Sequence, residues 1–244
     1  MTTIGIIPAR YRSSRFPGKP LADILGKPMM WHVFQAAKKV KQLDAIYVAT
    51  EDERIRAVCQ AEGMPCLMTH DRHLTGTDRL TECLGLVPAD YYVNIQGDEP
   101  MIEPAAISTV IAAMHQTRDP AIVASNAFTA LETPSDVLSS NVVKVVMSQS
   151  GRALYYSRTP IPHPKQAAVA VKRQLGLYCF ARRGLELFAS LQPGPLELAE
   201  TVELMRFIEH DHAVQMAEVH DDSVPVDTPQ DLERVQAMMA GRAG

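Results

Sequence analysis

Apolar runs of strand length alternate with helix-period segments from Thr3 to His115. Thr3–Ile7, Ala45–Thr50, Pro65–Met68 and Tyr91–Ile95 read as short buried strands. Between and after them, Met29–Lys41, Asp52–Glu62, Thr77–Leu86 and Ala105–His115 read as helices. Met30, Val33, Phe34, Ala37 and Val40 show the three- and four-residue spacing. This alternation is satisfied by a parallel sheet with helices on both faces, a Rossmann-like α/β fold. Beyond about residue 120 the pattern changes. Ala121–Ala127, Val142–Met147, Gln174–Phe180 and Val214–Val219 are expected strands with longer connections, and Pro160–Pro164 is a proline-punctuated loop. Pro195–His210 and Thr228–Met239 are expected helices, the latter opening on Thr228 as N-cap and Pro229 at the first helical position. The expectation is one domain, 1–244, with a mostly parallel sheet and an inserted smaller mixed subdomain. By pattern it has two halves, about 1–120 and about 121–244.

The first strand runs straight into a loop that carries Arg10, Arg12, Arg15 and Lys19 among Ser13, Ser14, Pro17, Gly18 and Pro20. A cationic, backbone-exposing loop at the C-terminal end of a first strand is where an α/β protein holds a phosphate chain. Guanidinium groups match phosphate oxygens in pairs, and a lysine adds a compact charge. The net charge of the 244 residues is −4, so this is a local site for a small polyanion, with no global field for nucleic acid. No uninterrupted apolar run is long enough to cross a bilayer. Met-Thr-Thr leads at once into the first strand, which leaves no room for a signal peptide; the expected location is the cytoplasm. Cys59, Cys66, Cys83 and Cys179 form no close-set pair and read as small buried residues of a reducing compartment. The histidines do not make a zinc pattern: His210 and His212 are two apart, with no cysteine near.

Two acids fall where a metal is wanted. Asp98 follows the strand Tyr91–Ile95, and Asp227 stands between a late strand-like stretch and the closing helix. Both positions are at the ligand-binding edge of an open α/β sheet. Carboxylates facing a polyphosphate suit Mg²⁺, which prefers oxygen donors and takes one or two protein carboxylates beside substrate phosphates. The pattern points to metal-assisted nucleotidyl transfer.

Five stretches occur in a familiar order: Gly5–Pro20, Thr75-Gly76-Thr77-Asp78-Arg79, Asn94-Ile95-Gln96-Gly97-Asp98-Glu99-Pro100, Leu154-Tyr155-Tyr156-Ser157-Arg158 and Val226-Asp227-Thr228-Pro229. Together they resemble the 3-deoxy-manno-octulosonate (Kdo) cytidylyltransferases along essentially the whole chain. The resemblance implies a nucleotide-diphospho-sugar transferase fold and a homodimer, with about 1–120 as the nucleotide-binding half and about 121–244 as the acceptor-binding and dimerisation half. It also implies transfer of CMP from CTP to the anomeric hydroxyl of an acidic 2-keto sugar, with release of pyrophosphate, in lipopolysaccharide biosynthesis. It implies nucleotide contacts from Pro8, Ala9, Arg10, Ser14, Lys19, Thr75, Gly76, Thr77 and Gln96, with Arg15 nearby. Arg10, Lys19 and Asp98 would be catalytic, and Asp98 and Asp227 would hold Mg²⁺. Arg79, Arg158, Gln174, Tyr178 and Glu203 would face the acceptor.

The acceptor half departs from the family pattern. Gln174-Leu175-Gly176-Leu177-Tyr178 has glutamine where the family has histidine, and Val202-Glu203-Leu204-Met205-Arg206 has leucine where it has glutamine. The sugar-side loop is Thr159-Pro160-Ile161-Pro162-His163. Losing a polar contact alters what a site can discriminate. A related ulosonic acid or another acidic acceptor therefore stays open, as do a sugar-1-phosphate nucleotidylyltransferase and a non-catalytic nucleotide-binding regulator.

Overall fold

The computed structural model describes residues 1–13, 16–131, 133–167, 169–220 and 223–242. β1 (Thr3–Pro8) leads through the cationic loop and a 3-10 turn (Lys19–Leu21) into the hairpin strands β2 (Asp23–Ile24) and β3 (Lys27–Pro28). Next come α1 (Met29–Lys38), β4 (Ala45–Thr50), α2 (Glu53–Ala61), β5 (Cys66–Met68), α3 (Gly76–Leu86), β6 (Tyr91–Ile95) and α4 (Pro104–Gln116). The remainder comprises β7 (Ile122–Ala130), α5 (Pro134–Leu138), β8 (Lys144–Met147), β9 (Ala153–Ser157), β10 (Lys172–Ala181) and α6 (Arg182–Ser190). It ends with α7 (Pro195–Glu200), α8 (Met205–Glu209), β11 (Ala213–Glu218) and α9 (Pro229–Arg242). The chain divides into two compact units, residues 1–108 with 221–244, and residues 109–220.

In the first unit β5, β4, β1 and β6 lie side by side, all parallel. Ile4, Ile6, Ile7, Val48, Val93 and Ile95 are buried, because a parallel sheet covered on both faces leaves no solvent side for alternation. α1 buries Met29, Met30, Val33, Phe34 and Ala37, the stripe its spacing predicts. The C-terminal segment belongs to this unit: Val226 and Val235 pack with Ile24, Met29 and Met101. Strand ends β1, β4 and β6 therefore share one carboxyl edge, and the residues that follow them, Ala9–Arg10, Glu51–Asp52 and Gln96–Asp98, are placed there.

The second unit has a mixed sheet. β11 pairs parallel with β7, β7 antiparallel with β10, β10 with β8, and β8 with β9, both antiparallel. Three elements here have no counterpart in the sequence reading: the short helix α5 (Pro134–Leu138), β9 and α6. β9 carries Leu154 exposed beside half-buried Tyr155, so no clean alternation marks it. α6 starts on Arg182-Arg183 with no side-chain cap. The single helix expected over Pro195–His210 is two. Thr201 takes a left-handed conformation (φ 53°, ψ 44°) and ends α7 before α8 begins. Arg158 favours the break: its Nε donates to Glu200 O at 2.7 Å and its NH2 to Thr201 Oγ1 at 2.7 Å, where the helix carbonyls lose their own partners.

Candidate active site

Gly18, at φ 72°, makes the turn that ends the cationic loop. Its N–H donates to Tyr11 O at 2.9 Å and its carbonyl accepts Leu21 N at 2.8 Å, which starts the 3-10 turn on Lys19. Lys19 is thereby aimed inward. Its Nζ donates to Asp98 Oδ2 at 2.7 Å and to Asp227 Oδ1 at 3.1 Å, carboxylates 79 and 208 positions away in the sequence. Three features bring the acids together. Gly97 admits the β6 exit against β1, since a Cβ there would sit 3.0 Å from Pro8 O. Val226 N donates to Asp98 O at 2.9 Å, tying the two acidic segments by their backbones. Thr228 and Asp231 cap α9 reciprocally: Asp231 N donates to Thr228 Oγ1 at 3.2 Å and Thr228 N to Asp231 Oδ2 at 2.8 Å.

Burial alone would push the Lys19 ammonium down, but the Asp98 and Asp227 carboxylates outweigh it and hold it above the ordinary lysine value. Because the folded value is the higher one, the stability Lys19 gains is fully present at neutral pH and is lost as pH rises through that value and Lys19 releases its proton. The three groups form a compact cluster with one negative charge in excess. Among the described residues no three histidine, cysteine, aspartate or glutamate side chains gather as a metal cluster. Two oxygen-donor side chains converging on one cation are the donor set Mg²⁺ uses beside phosphates, so the residues present fit that ion.

Pro8 ends β1, and Ala9, buried, donates its N–H to Ala49 O at 2.9 Å. Thr75 is the N-cap of α3 in a capping box with Asp78, and Thr77 is fully buried in the first turn. Gly76 stands where Pro8, Asn94 and Gln96 approach: a Cβ there would lie 3.3 Å from Pro8 Cγ and 3.5 Å from both Asn94 Nδ2 and Gln96 Nε2. Arg10 is exposed and, with Arg12, Arg79 and His73, lines a cavity of about 200 Å³ that also presents Glu51 and Asp52. Arg79, expected to meet a sugar carboxylate, is buried; it pairs with Glu51 at 2.7 Å and donates to Thr69 Oγ1. It faces the cavity as half of an ion pair. Ser14 and Arg15 lie outside the described residues.

The other four acceptor-side candidates belong to the second unit. Gln174 is buried and its Nε2 donates to Tyr178 OH at 3.0 Å across an irregular stretch of β10. Asn126 holds that irregularity, its Nδ2 donating to Leu175 O at 2.8 Å and Leu177 O at 3.1 Å. Arg158 is drawn into the chain: besides its bonds to Glu200 and Thr201, NH1 donates to Ser140 O at 2.9 Å. Glu203 is half-buried in the turn before α8, and Leu204 beside it is fully buried.

A family model described as cytidylyltransferase matches residues 4–215. The 3-deoxy-manno-octulosonate cytidylyltransferase of Syntrophobacter fumaroxidans (strain DSM 10017 / MPOB) is 44% identical over 246 residues, 98% of each chain. The chain belongs to the 3-deoxy-manno-octulosonate cytidylyltransferase family. A solved CMP:2-keto-3-deoxy-manno-octonic acid synthetase, complexed with CTP, superposes with a TM-score of 0.93 at 39% identity, covering 99% of this chain and all of that one. A putative glucose-1-phosphate thymidylyltransferase from Bacillus anthracis shares the fold at TM-score 0.67 and 17% identity, covering 97% and 95%.

In this member of the cytidylyltransferase family, two polar hubs escaped the sequence reading. Lys144 is fully buried, and its Nζ donates to the carbonyls of Ser139 at 2.6 Å, Val142 at 2.8 Å and Arg158 at 3.0 Å. Glu200 accepts Arg158 N at 2.8 Å and Ser157 Oγ at 3.1 Å. Lysine inside an expected strand was the visible signal for the first; nothing local marks the second. Lys144→Met leaves three carbonyls without their donor and is expected to cost about 2 kcal/mol of stability, read by calorimetric melting.

Proposed function

We propose that this protein transfers CMP from CTP to the anomeric hydroxyl of 3-deoxy-manno-octulosonate, releasing pyrophosphate, as a Mg²⁺-dependent enzyme. The observation that carries the reading is the Lys19–Asp98–Asp227 cluster at the carboxyl edge of the parallel sheet, in a chain with the family's motifs along its whole length. The sugar hydroxyl attacks the α-phosphorus and pyrophosphate leaves; no side-chain nucleophile is required. Arg10 and Lys19 bind the triphosphate and stabilise the charge that develops on it. For Lys19 this means exchanging a carboxylate for a phosphate oxygen. Asp98 and Asp227 would hold Mg²⁺, which neutralises phosphate charge and lowers the pKa of an attacking hydroxyl. Pro8, Ala9, Thr75, Gly76, Thr77 and Gln96, with Ser14, bind the nucleotide. Arg79, Arg158, Gln174, Tyr178 and Glu203 bind the acid acceptor. Exposed Leu154, Leu196 and Leu198 on the second unit offer apolar surface for a homodimer contact. The reading places this work in the cytoplasm; among the described residues no helix is long and apolar enough to cross a membrane.

A second reading of the acceptor rests on one observation. Leu204 occupies the family's glutamine position and is fully buried in packing, so that position offers no polar group to a sugar. A related ulosonic acid with one polar group fewer at that contact is then the alternative acceptor. The discriminating experiment follows pyrophosphate release with each nucleoside triphosphate against Kdo, other ulosonic acids and sugar 1-phosphates. CTP with Kdo is expected to give the highest kcat/KM, and a preference for a sugar 1-phosphate would overturn the reading. Chelating Mg²⁺ with EDTA is expected to abolish release, and replenishing the ion to restore it; undiminished turnover would remove the metal from the account.

A further inference from the structure

Asn94 lies on β6, opposite Ile6 of β1, and is fully buried. Neither atom of its carboxamide has a hydrogen-bond partner among the described residues. A carboxamide offers two donors and two acceptor sites, and burying all of them unpaired is expensive in a core otherwise made of Ile, Val and Tyr. An apolar side chain would serve the packing better. The orphan is also aimed at one place. Tyr92, on the same face of β6, donates its hydroxyl to Val87 O at 2.9 Å just past the C-terminal end of α3. Asn94, two residues on, meets the opposite end of that helix, its Nδ2 lying 3.5 Å from the Cβ position of Gly76. Gln96 Nε2 lies at the same distance from the same point. Two carboxamides thus converge on the glycine that opens α3: one buried without a partner, the other half-exposed where the strand leaves the sheet.

We propose that Asn94 is a positioning residue for the nucleotide: when the nucleotide binds, its buried carboxamide pairs with that of Gln96 and fixes the orientation in which Gln96 meets the nucleobase. Gln96 is the polar side chain that shares the Gly76 notch with it. A carboxamide pair satisfies both groups reciprocally, one N–H to each oxygen, and leaves Gln96 a remaining donor and acceptor for a base edge. Gly76 keeps the notch open, since a Cβ there would be tight against Pro8 Cγ at 3.3 Å and in van der Waals contact with both amides at 3.5 Å. The cost of the unpaired amide in the free protein is then the counterpart of selective binding, as in sites that give up stability for function. The inference rests on the reading of Gln96 as a nucleotide contact.

The test is calorimetric CTP and UTP binding, with thermal melting, for wild type, Asn94→Leu, Gln96→Ala and the double variant. Asn94→Leu is expected to melt at or above the wild-type temperature while binding CTP about tenfold more weakly and discriminating less against UTP. On the Gln96→Ala background, Asn94→Leu is expected to add less than about twofold, because the two act as one unit. Asn94→Ser, smaller and still polar, provides the same comparison should the leucine variant fail to fold. CTP binding within about twofold of wild type in the folded variants overturns the proposal, as do losses that multiply in the double variant. Failure of the wild type itself to bind CTP would instead refute the nucleotide reading on which the proposal stands.

Discussion

Asp98→Asn is expected to lower kcat about a thousandfold while leaving the melting temperature close to that of the wild type. The substitution keeps the side chain's shape and the backbone carbonyl that accepts Val226 N, so the junction between β6 and the C-terminal segment survives. What it removes is one of the two carboxylate charges that converge on Lys19. An amide is a poor ligand for a hard dication, and losing charge stabilisation at a reacting phosphate costs orders of magnitude in rate. Stability should change by less than about 1 kcal/mol, because Lys19 keeps Asp227 and the Asp98 carboxylate is partly exposed. Steady-state pyrophosphate release with purified variant and a parallel melting curve read both quantities. Wild-type turnover in the variant would detach Asp98 from the chemistry, and a collapse in stability would make its role architectural.

Arg206→Met is expected to destabilise the protein by about 4 kcal/mol, lowering the melting temperature by roughly 10 °C. Arg206 and Glu197 are both buried and pair in two parallel bonds, Nε to Oε2 at 2.8 Å and NH2 to Oε1 at 2.7 Å. The guanidinium carbon also sits 3.8 Å over the Phe188 ring. Removing the cation leaves the buried Glu197 carboxylate without the charge that offsets its lost hydration. The same reasoning predicts that replacing both residues together by apolar ones of similar volume recovers much of the loss. Melting curves of the single and double variants measure this, and equal destabilisation in both would mean that packing rather than charge decides the site.

The parallel sheet of the first unit was legible because its strands are short, mostly apolar runs and its helices carry a clear stripe. The phosphate-loop candidates and the two acids were legible for another reason: charged residues at strand ends have few structural uses there. What local pattern could not convey was pairing across long stretches of chain. That Lys19 serves both acids depends on a backbone bond between Val226 and Asp98. That Arg79 is held by Glu51 depends on β4 and α3 meeting at the same edge. The helix break at Thr201 depends on Arg158, which arrives from β9's exit, and so propensity alone ran α7 and α8 together. Asn126 and Lys144 look like ordinary strand residues until the carbonyls they serve are in place.

The central claim is that three side chains from distant parts of the sequence gather around a metal-bound triphosphate. Crystals grown with CTP and Mn²⁺ in place of Mg²⁺ test it through the anomalous signal of the metal. The account predicts a peak bound by carboxylate oxygens of Asp98 and Asp227 beside the α-phosphate, with Lys19 Nζ moved onto a phosphate oxygen. CTP bound with no metal at those carboxylates, or with Lys19 still bridging them, would contradict it.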